Sequence, residues 1–310
     1  MKVTVMGAGG LGGYYGGLLA AGGHTVTFIA RGAHLEAIRR TGGVRVHAIH
    51  GEFFGPGAAA EQPPADPADL VLFTVKAYDT PAAAERIRPA VGPQTAILSL
   101  QNGVDNEEVL AREYGADRIL GGLVYIFASI GEPGMIAQTG GPRRVVFGEW
   151  SGRRSDRIAR LEEAFRQAGW LVEGCEDIIR EKWVKFAFIC AQAGMTALTR
   201  LPIGDVRATP PTWEMFRQIV EEVVAVGRAR GVRLGQEVID AHLAFAQSLE
   251  PAGRSSLYHD LTHGHRLEIE ALHGTVVRYG RDAGVPTPAS QAVYAALLPH
   301  DRLARRGGGA

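Results

Sequence analysis

Met1-Lys-Val-Thr-Val-Met-Gly-Ala-Gly-Gly-Leu-Gly12 opens the chain as a short apolar strand running straight into Gly7-x-Gly9-x-x-Gly12. Val3, Val5 and their neighbours read as a buried strand. Gly7 permits a tight turn, Gly9 lets the backbone approach a pyrophosphate, and Gly12 lets the next helix pack on the sheet. Ala8, Gly10 and Leu11 complete the turn. The helix is expected over Leu11 to Ala21, with its free N–H groups and positive dipole end facing a diphosphate. Glycine spacing alone is weak in a chain with 41 glycines. Here a strand precedes it, a helix follows, and a second strand, His24-Thr-Val-Thr-Phe-Ile-Ala30, comes next. That context marks a dinucleotide site.

Arg31 follows the second strand, and no carboxylate appears until Glu36. An acidic residue there accepts hydrogen bonds from a ribose 2′-OH, whereas an Arg accommodates a 2′-phosphate in a bidentate fashion. NADP(H) is therefore expected over NAD(H), the plain alternative being a solvated surface Arg.

At 310 residues the chain exceeds the size at which one core stops growing, so two domains are expected. Lys+Arg and Asp+Glu balance at 33 each, which argues against a nucleic-acid or polyanion partner. Cys175 and Cys190 form neither a disulfide framework nor a CxxC metal site, as suits a reducing compartment. No apolar run approaches the ~20 residues needed to span a bilayer. The first strand starts at residue 2, leaving no room for a signal peptide. A cytoplasmic protein with no membrane partner is expected. The tail from Arg302 is expected to fray.

Strand and helix signals alternate up to residue 176. Leu70-Val-Leu-Phe-Thr-Val75 is a continuous apolar run, as a parallel strand covered on both faces requires. A helix over Ala82 to Val91 and a strand, Thr95-Ala-Ile-Leu-Ser-Leu100, follow. Further strands are Ile119–Phe127, Arg144–Gly148 and Trp170–Gly174, with an amphipathic helix from Arg153 to Ala168. This is the pattern of a doubly wound, mostly parallel α/β Rossmann-type domain over residues 1–176. From 177 to 310 the pattern turns helical: Asp177–Leu198, Thr212–Gly231, Glu237–Leu249, Arg266–Ala283 and Ala289–Leu298. An all-α C-terminal domain is expected, with the active site in the cleft between domains at the carboxyl ends of the strands.

Lys76 and Asn102 follow two of the predicted strands and so sit at the ligand edge of the sheet. A solvated loop cation and an ordinary Asn-Gly turn are the plain alternatives. Lys185 precedes the apolar stretch Phe186 to Ala193, where desolvation lowers an ammonium pKa and makes a usable proton donor. A Lys snorkelling at the helix flank is the bland alternative, and Lys182 competes from three residues earlier. Ser255-Ser256 follows the Pro251-Ala-Gly253 break and either caps a short helix or holds a carboxylate. Glu268, between Leu267 and Ile269, reads as a partly buried carboxylate needing a cationic partner. His259, His263, His265 and His273 lack a third ligand at convincing spacing and read as imidazoles on a polar face, with no metal.

Gly7–Gly12, Arg31, Thr74-Val-Lys76, Gln101-Asn-Gly103, Trp183-Val-Lys185, Ser255-Ser256 and Glu268-Ile-Glu270, in this order, resemble the ketopantoate reductase (2-dehydropantoate 2-reductase) family over nearly the whole chain. The resemblance implies NADPH-dependent reduction of a small 2-oxo acid to a 2-hydroxy acid in pantothenate and coenzyme A synthesis. It implies Lys185 as general acid, Glu268 as its carboxylate partner, Lys76 and Asn102 lining nicotinamide and substrate, and Ser256 on the substrate carboxylate. It also shows a departure, because the family's substrate-holding Asn positions carry Ile189, Ala193 and Ile203. Gln192 and Thr196, seven and eleven residues after Lys185, are the candidate replacements. Three readings follow: a 2-dehydropantoate 2-reductase, a relative reducing a more apolar 2-oxo acid, and a catalytically silent NADP(H)-binding or sensing protein. The helical surface is compatible with a homodimer.

Overall fold

The computed structural model describes residues 1–153 and 155–307. The chain forms two compact units, Met1–Gln101 with Asn106–Ile178, and Asn102–Asp105 with Ile179–Ala310. The sequence suggests one boundary at 176/177. Instead, the short segment Asn102–Asp105 groups with the helical unit although it directly follows a strand of the first.

The first unit runs β1 (Lys2–Met6), α1 (Gly10–Ala21), β2 (Thr25–Ile29), α2 (Gly32–Thr41), β3 (Gly43–Ala48), β4 (Gly51–Pro56), β5 (Ala58–Ala60) and β6 (Leu70–Phe73). It continues through α3 (Thr80–Arg86), β7 (Ala96–Ser99), α4 (Asn106–Tyr114), β8 (Ile119–Glu132), β9 (Met135–Glu149), α5 (Asp156–Gln167) and β10 (Leu171–Gly174). The sheet order is β4-β3-β9-β8-β7-β6-β1-β2-β5, with β10 also on β9. Among the described residues only the β3–β4 and β8–β9 pairs are antiparallel. Every residue of β6 and β7 is buried, which is why both read as unbroken apolar runs. From β1 the chain steps to β2 on one side and later to β6 on the other. The carboxyl ends of β1 and β6 therefore form a topological switch point, where doubly wound sheets bind ligands.

The expected strands Ile119–Phe127 and Arg144–Gly148 are the outer parts of one long antiparallel pair, β8–β9. Residues 128–143, the turn end of that pair, are partly exposed and mix glycine and polar residues with apolar ones, so the buried-strand signal fades there. The helix expected over Ala82–Val91 is instead α3 followed by a 3₁₀ turn at Arg88–Ala90, with Pro89 at the turn's start. The helix expected from Arg153 begins at Asp156.

The second unit contains α6 (Ile178–Thr199), α7 (Ile203–Ala208), α8 (Pro210–Ala229), α9 (Gln236–Ser248), α10 (Ser256–Thr262), α11 (Thr275–Ala283) and α12 (Pro288–Gly307). Its core gathers Trp183, Phe186, Ala187, Cys190 and Met195 of α6 with Phe216, Val220 and Val223 of α8. The Glu222 carboxylate accepts the Ala289 and Ser290 N–H groups at 2.7 and 2.8 Å, satisfying amides that open α12. The single helix expected over Arg266–Ala283 is a π-turn at Glu270–Gly274 leading into α11. The chain before that turn is held by Asp301, whose fully buried carboxylate accepts the Leu267 N–H at 2.9 Å. Asp301 also pairs with Arg305 one turn on. Those contacts explain a further correction: α12 continues from Arg302 to Gly307 instead of fraying at 302. The rest of the tail lies outside the described residues.

Candidate active site

In the first unit the turn after β1 divides its glycines by task. Gly7 has φ +99°, and a Cβ there would lie 2.9 Å from the Val75 amide nitrogen. A Cβ on Gly12 would lie 2.2 Å from the Gly7 carbonyl oxygen, so only glycine lets α1 approach the turn this closely. Gly9 is different, because nothing lies within 4 Å of where its Cβ would be. The open side of the loop is thus at Gly9. The first helical bond of α1 runs from the Gly13 N–H to the Gly9 carbonyl at 2.7 Å. The Gly10, Leu11 and Gly12 amides precede it and lack acceptors within the helix. Gly10 backs onto β8, where a Cβ would fall 2.1 Å from the Ala128 carbonyl oxygen. Ala8 donates its N–H to the Ile29 carbonyl at 2.9 Å, so it shapes the loop without offering that amide.

Two side chains brace this turn: Thr74, known from the sequence only as part of the Thr74-Val-Lys76 motif, and His34, which the sequence does not flag. The Thr74 hydroxyl donates to the Gly7 carbonyl at 2.8 Å. His34 on α2 lies 2.8 Å by Nε2 from the Ala8 carbonyl, and its Nδ1 accepts the Gly134 N–H at 3.0 Å. That pairing assigns the proton to Nε2, which donates to Ala8. Burial pushes the imidazole below its ordinary pKa, so it stays neutral in this role. No local motif flags such a residue, because its partners come from distant stretches of chain.

Arg31 is the residue just before α2 and is exposed. Its guanidinium makes no hydrogen bond or ion pair among the described residues. Lys76 is half-buried in extended conformation, just before a 3₁₀ turn at Ala77–Asp79. The loop carrying it is held by Gln101, whose amide donates to the Val75 carbonyl at 2.9 Å and to the Thr80 hydroxyl at 2.8 Å.

In the second unit the Lys185 ammonium donates to Asn102 Oδ1 at 3.0 Å. Lys185 belongs to α6, and Asn102 belongs to the segment that joins this unit. Burial of the nitrogen is the largest influence on Lys185 and pushes it down to about 7. The positive charge of Lys182 pushes the same way, and Glu268 opposes both. Glu268 is buried, in the turn before the π-helical residues. Lys182 is itself buried, at 3% exposure. The structure thus brings Lys185, Asn102 and Glu268 into one electrostatic group, in which Lys182 acts as a modulating charge.

The other candidates separate. Ser256 is exposed as the first residue of α10, while Ser255 is the cap, its hydroxyl accepting the Tyr258 N–H at 3.1 Å. Thr196 is fully buried and spends its hydroxyl on the Gln192 carbonyl and on Ser255, at 2.7 and 2.8 Å. Gln192 is half-buried, and its amide makes no hydrogen bond among the described residues. Ala193 and Ile203 belong to the apolar core, with Ile189 packed against it. His273 corrects the polar-face reading of the histidines, since it is fully buried with Nε2 3.0 Å from the Cys190 carbonyl. His259, His263 and His265 are exposed. Both cysteines are free. Among the described residues no helix is long and apolar enough to cross a membrane.

The fold and the grouped residues define a Rossmann-type domain joined to a helical domain with a desolvated lysine. The profile of the family described as "Ketopantoate reductase PanE/ApbA" matches residues 3–152, and that of its C-terminal part matches residues 177–300. A 2-dehydropantoate 2-reductase of Archaeoglobus fulgidus is 34% identical, covering 92% of each chain. An uncharacterized oxidoreductase of Bacillus subtilis, YkpB, is 33% identical over 97% of this chain and 99% of its own. The crystal structure of a PanE/ApbA family ketopantoate reductase from Ralstonia eutropha superposes with a TM-score of 0.89 at 34% identity, covering 98% of this chain and all of that one. The chain belongs to the ketopantoate reductase family of oxidoreductases.

Proposed function

We propose that the protein reduces a small 2-oxo acid to the 2-hydroxy acid with NADPH, and that 2-dehydropantoate is its first candidate substrate. The observation that carries this reading is the Lys185 ammonium, desolvated to a pKa of about 7 and donating to Asn102 Oδ1 at 3.0 Å. A group poised near neutrality and hydrogen-bonded in place is suited to general acid work.

The first unit fits the cofactor. A pyrophosphate needs an open approach at Gly9 and amides without intrahelical acceptors at Gly10, Leu11 and Gly12, which the loop offers. An exposed, unpaired guanidinium at Arg31 suits a 2′-phosphate. Lys76 is assigned to the nicotinamide end. When bound, NADPH supplies the hydride that the ketone carbon accepts. The chain's own part is proton management. Lys185 donates its proton to the ketone oxygen as negative charge develops there, which contributes about 10²–10⁴-fold in comparable reactions. Glu268 keeps the ammonium charged, and Asn102 orients it. Ser256 is assigned to the substrate carboxylate and Gln192 to the substrate's remaining polar group. Replacing Lys185 by Ala should abolish most of kcat while NADPH binding stays near wild type; Lys182→Ala should retain far more activity. A larger loss of kcat in Lys182→Ala would move the acid to that residue.

Ile189, half-buried and packed against the core one turn after Lys185, favours a second reading, in which the acid carries a more apolar tail. A silent NADP(H)-binding protein would have no use for the Lys185–Asn102 bond with Glu268 in range.

A further inference from the structure

Asn102–Gly103–Val104–Asp105 is a weakly constrained stretch by sequence, since an Asn-Gly pair turns readily and Gly103 has φ +100°. Nevertheless, its two ends carry specific contacts within the helical unit. At one end Asn102 receives the Lys185 ammonium. At the other, Asp105 Oδ2 accepts the Thr275 hydroxyl at 3.0 Å and pairs with Arg278 at 2.9 Å. Between them Val104 is buried in the helical core at 2% exposure. Thr275 is fully buried as the first residue of α11, directly after the π-turn that follows Glu268. Arg278 also donates to the Thr275 hydroxyl at 3.0 Å, closing a three-residue knot.

We propose that Asp105, tied to Thr275 and Arg278, is a positioning residue that holds Asn102 against the Lys185 ammonium. Asp105 touches no reacting atom in this scheme and acts through Asn102. It rests on the proposed role of Lys185 only for its effect on turnover, and the geometry exists without it. Among the groups that act on Lys185 are Lys182 on α6, Glu268 before the π-turn, and Asn102 from the clamped segment. Asn102 favours the charged ammonium by accepting from it. A loosened clamp should therefore lower the Lys185 titration midpoint.

The test is direct titration of Lys185 in the unliganded full-length protein, by pH-dependent acetylation with acetic anhydride read by mass spectrometry. Asp105→Ala, Thr275→Val and Thr275→Ser are compared with wild type, and melting temperatures confirm folding. Asp105→Ala removes a charge as well as the clamp, whereas Thr275→Val leaves the charge and removes the hydroxyl, with its contacts to Asp105, Arg278 and the Glu270 carbonyl. The midpoint should fall by about 0.5–1 unit in Asp105→Ala and Thr275→Val, and Thr275→Ser should restore the wild-type value. An unmoved midpoint in both Asp105→Ala and Thr275→Val overturns the proposal, as does an equal shift in Thr275→Val and Thr275→Ser. If Asp105→Ala does not fold, the Thr275 pair decides alone. A shifted midpoint in a protein that turns over no 2-oxo acid would sink the proposed activity and leave the clamp standing.

Discussion

Glu268→Gln separates an electrostatic partner of Lys185 from a merely structural carboxylate. The substitution keeps shape and removes one negative charge. Lys185 titrates at about 7 because burial and Lys182 lower it while Glu268 raises it. Removing the raising influence must lower the midpoint, and the loss of a nearby opposite charge is worth roughly one unit or more. One unit corresponds to about 1.4 kcal/mol between the two protonation states. The acid works only when protonated. With a midpoint falling from about 7 to about 6, the active fraction drops about tenfold at pH 8, about fivefold at pH 7, and hardly at pH 5. The assay is kcat/KM from pH 5 to 9, which reports the free enzyme. The variant's alkaline limb should move to lower pH, with the acid-side plateau near wild type. A uniform loss at every pH, or an unmoved limb in a folded variant, would refute this role for Glu268.

Arg31→Ala should weaken NADPH binding by about 10- to 150-fold, the worth of a charge-assisted contact of 1.5–3 kcal/mol, and leave NADH binding unchanged; equal losses for both cofactors in a fluorescence titration would remove the phosphate role. His273 is pushed by burial from 6.5 to about 4, so it is neutral in both states above pH 6.5 and the unfolded state binds its proton first below that. Stability should therefore fall by about 3 kcal/mol as pH drops from 6.5 toward 4, and His273→Gln, which keeps a donor but does not titrate, should show a visibly flatter Tm–pH curve over that window. Gln192→Leu tests the substrate's polar contact: wild-type kcat/KM for 2-dehydropantoate should lie within about 100-fold (about 2.7 kcal/mol) of that for 2-oxoisovalerate. Gln192→Leu should erase whatever preference the wild type shows, and a preference that survives the substitution would remove Gln192 from this contact.

Much of this was readable in the sequence because it rests on local constraints. The Gly7–Gly12 turn follows from what a tight turn and a packed helix permit, and β6 and β7 announce themselves as apolar runs buried on both faces. The unread parts depend on partners far away in the chain. The β8–β9 pair is partly exposed toward its turn end and loses its period there. His34 matters only because Ala8 and Gly134 come to it. Asp105 gives no local signal, because its partners Thr275 and Arg278 lie far along the chain. The π-turn at Glu270–Gly274 interrupts what periodicity suggests is one helix. Ile203, expected to face substrate, is fully buried in the core, because an isoleucine gives the same apolar signal in a pocket wall and in packing.

NADPH oxidation followed at 340 nm against a panel of 2-oxo acids tests the central claim most directly, with Lys185→Ala run beside wild type. Turnover of at least one branched 2-oxo acid, 2-dehydropantoate among the candidates, lost in Lys185→Ala while NADPH still binds, is the expected result. Tight NADPH binding with no oxidation by any acid, or turnover untouched by Lys185→Ala, would contradict it.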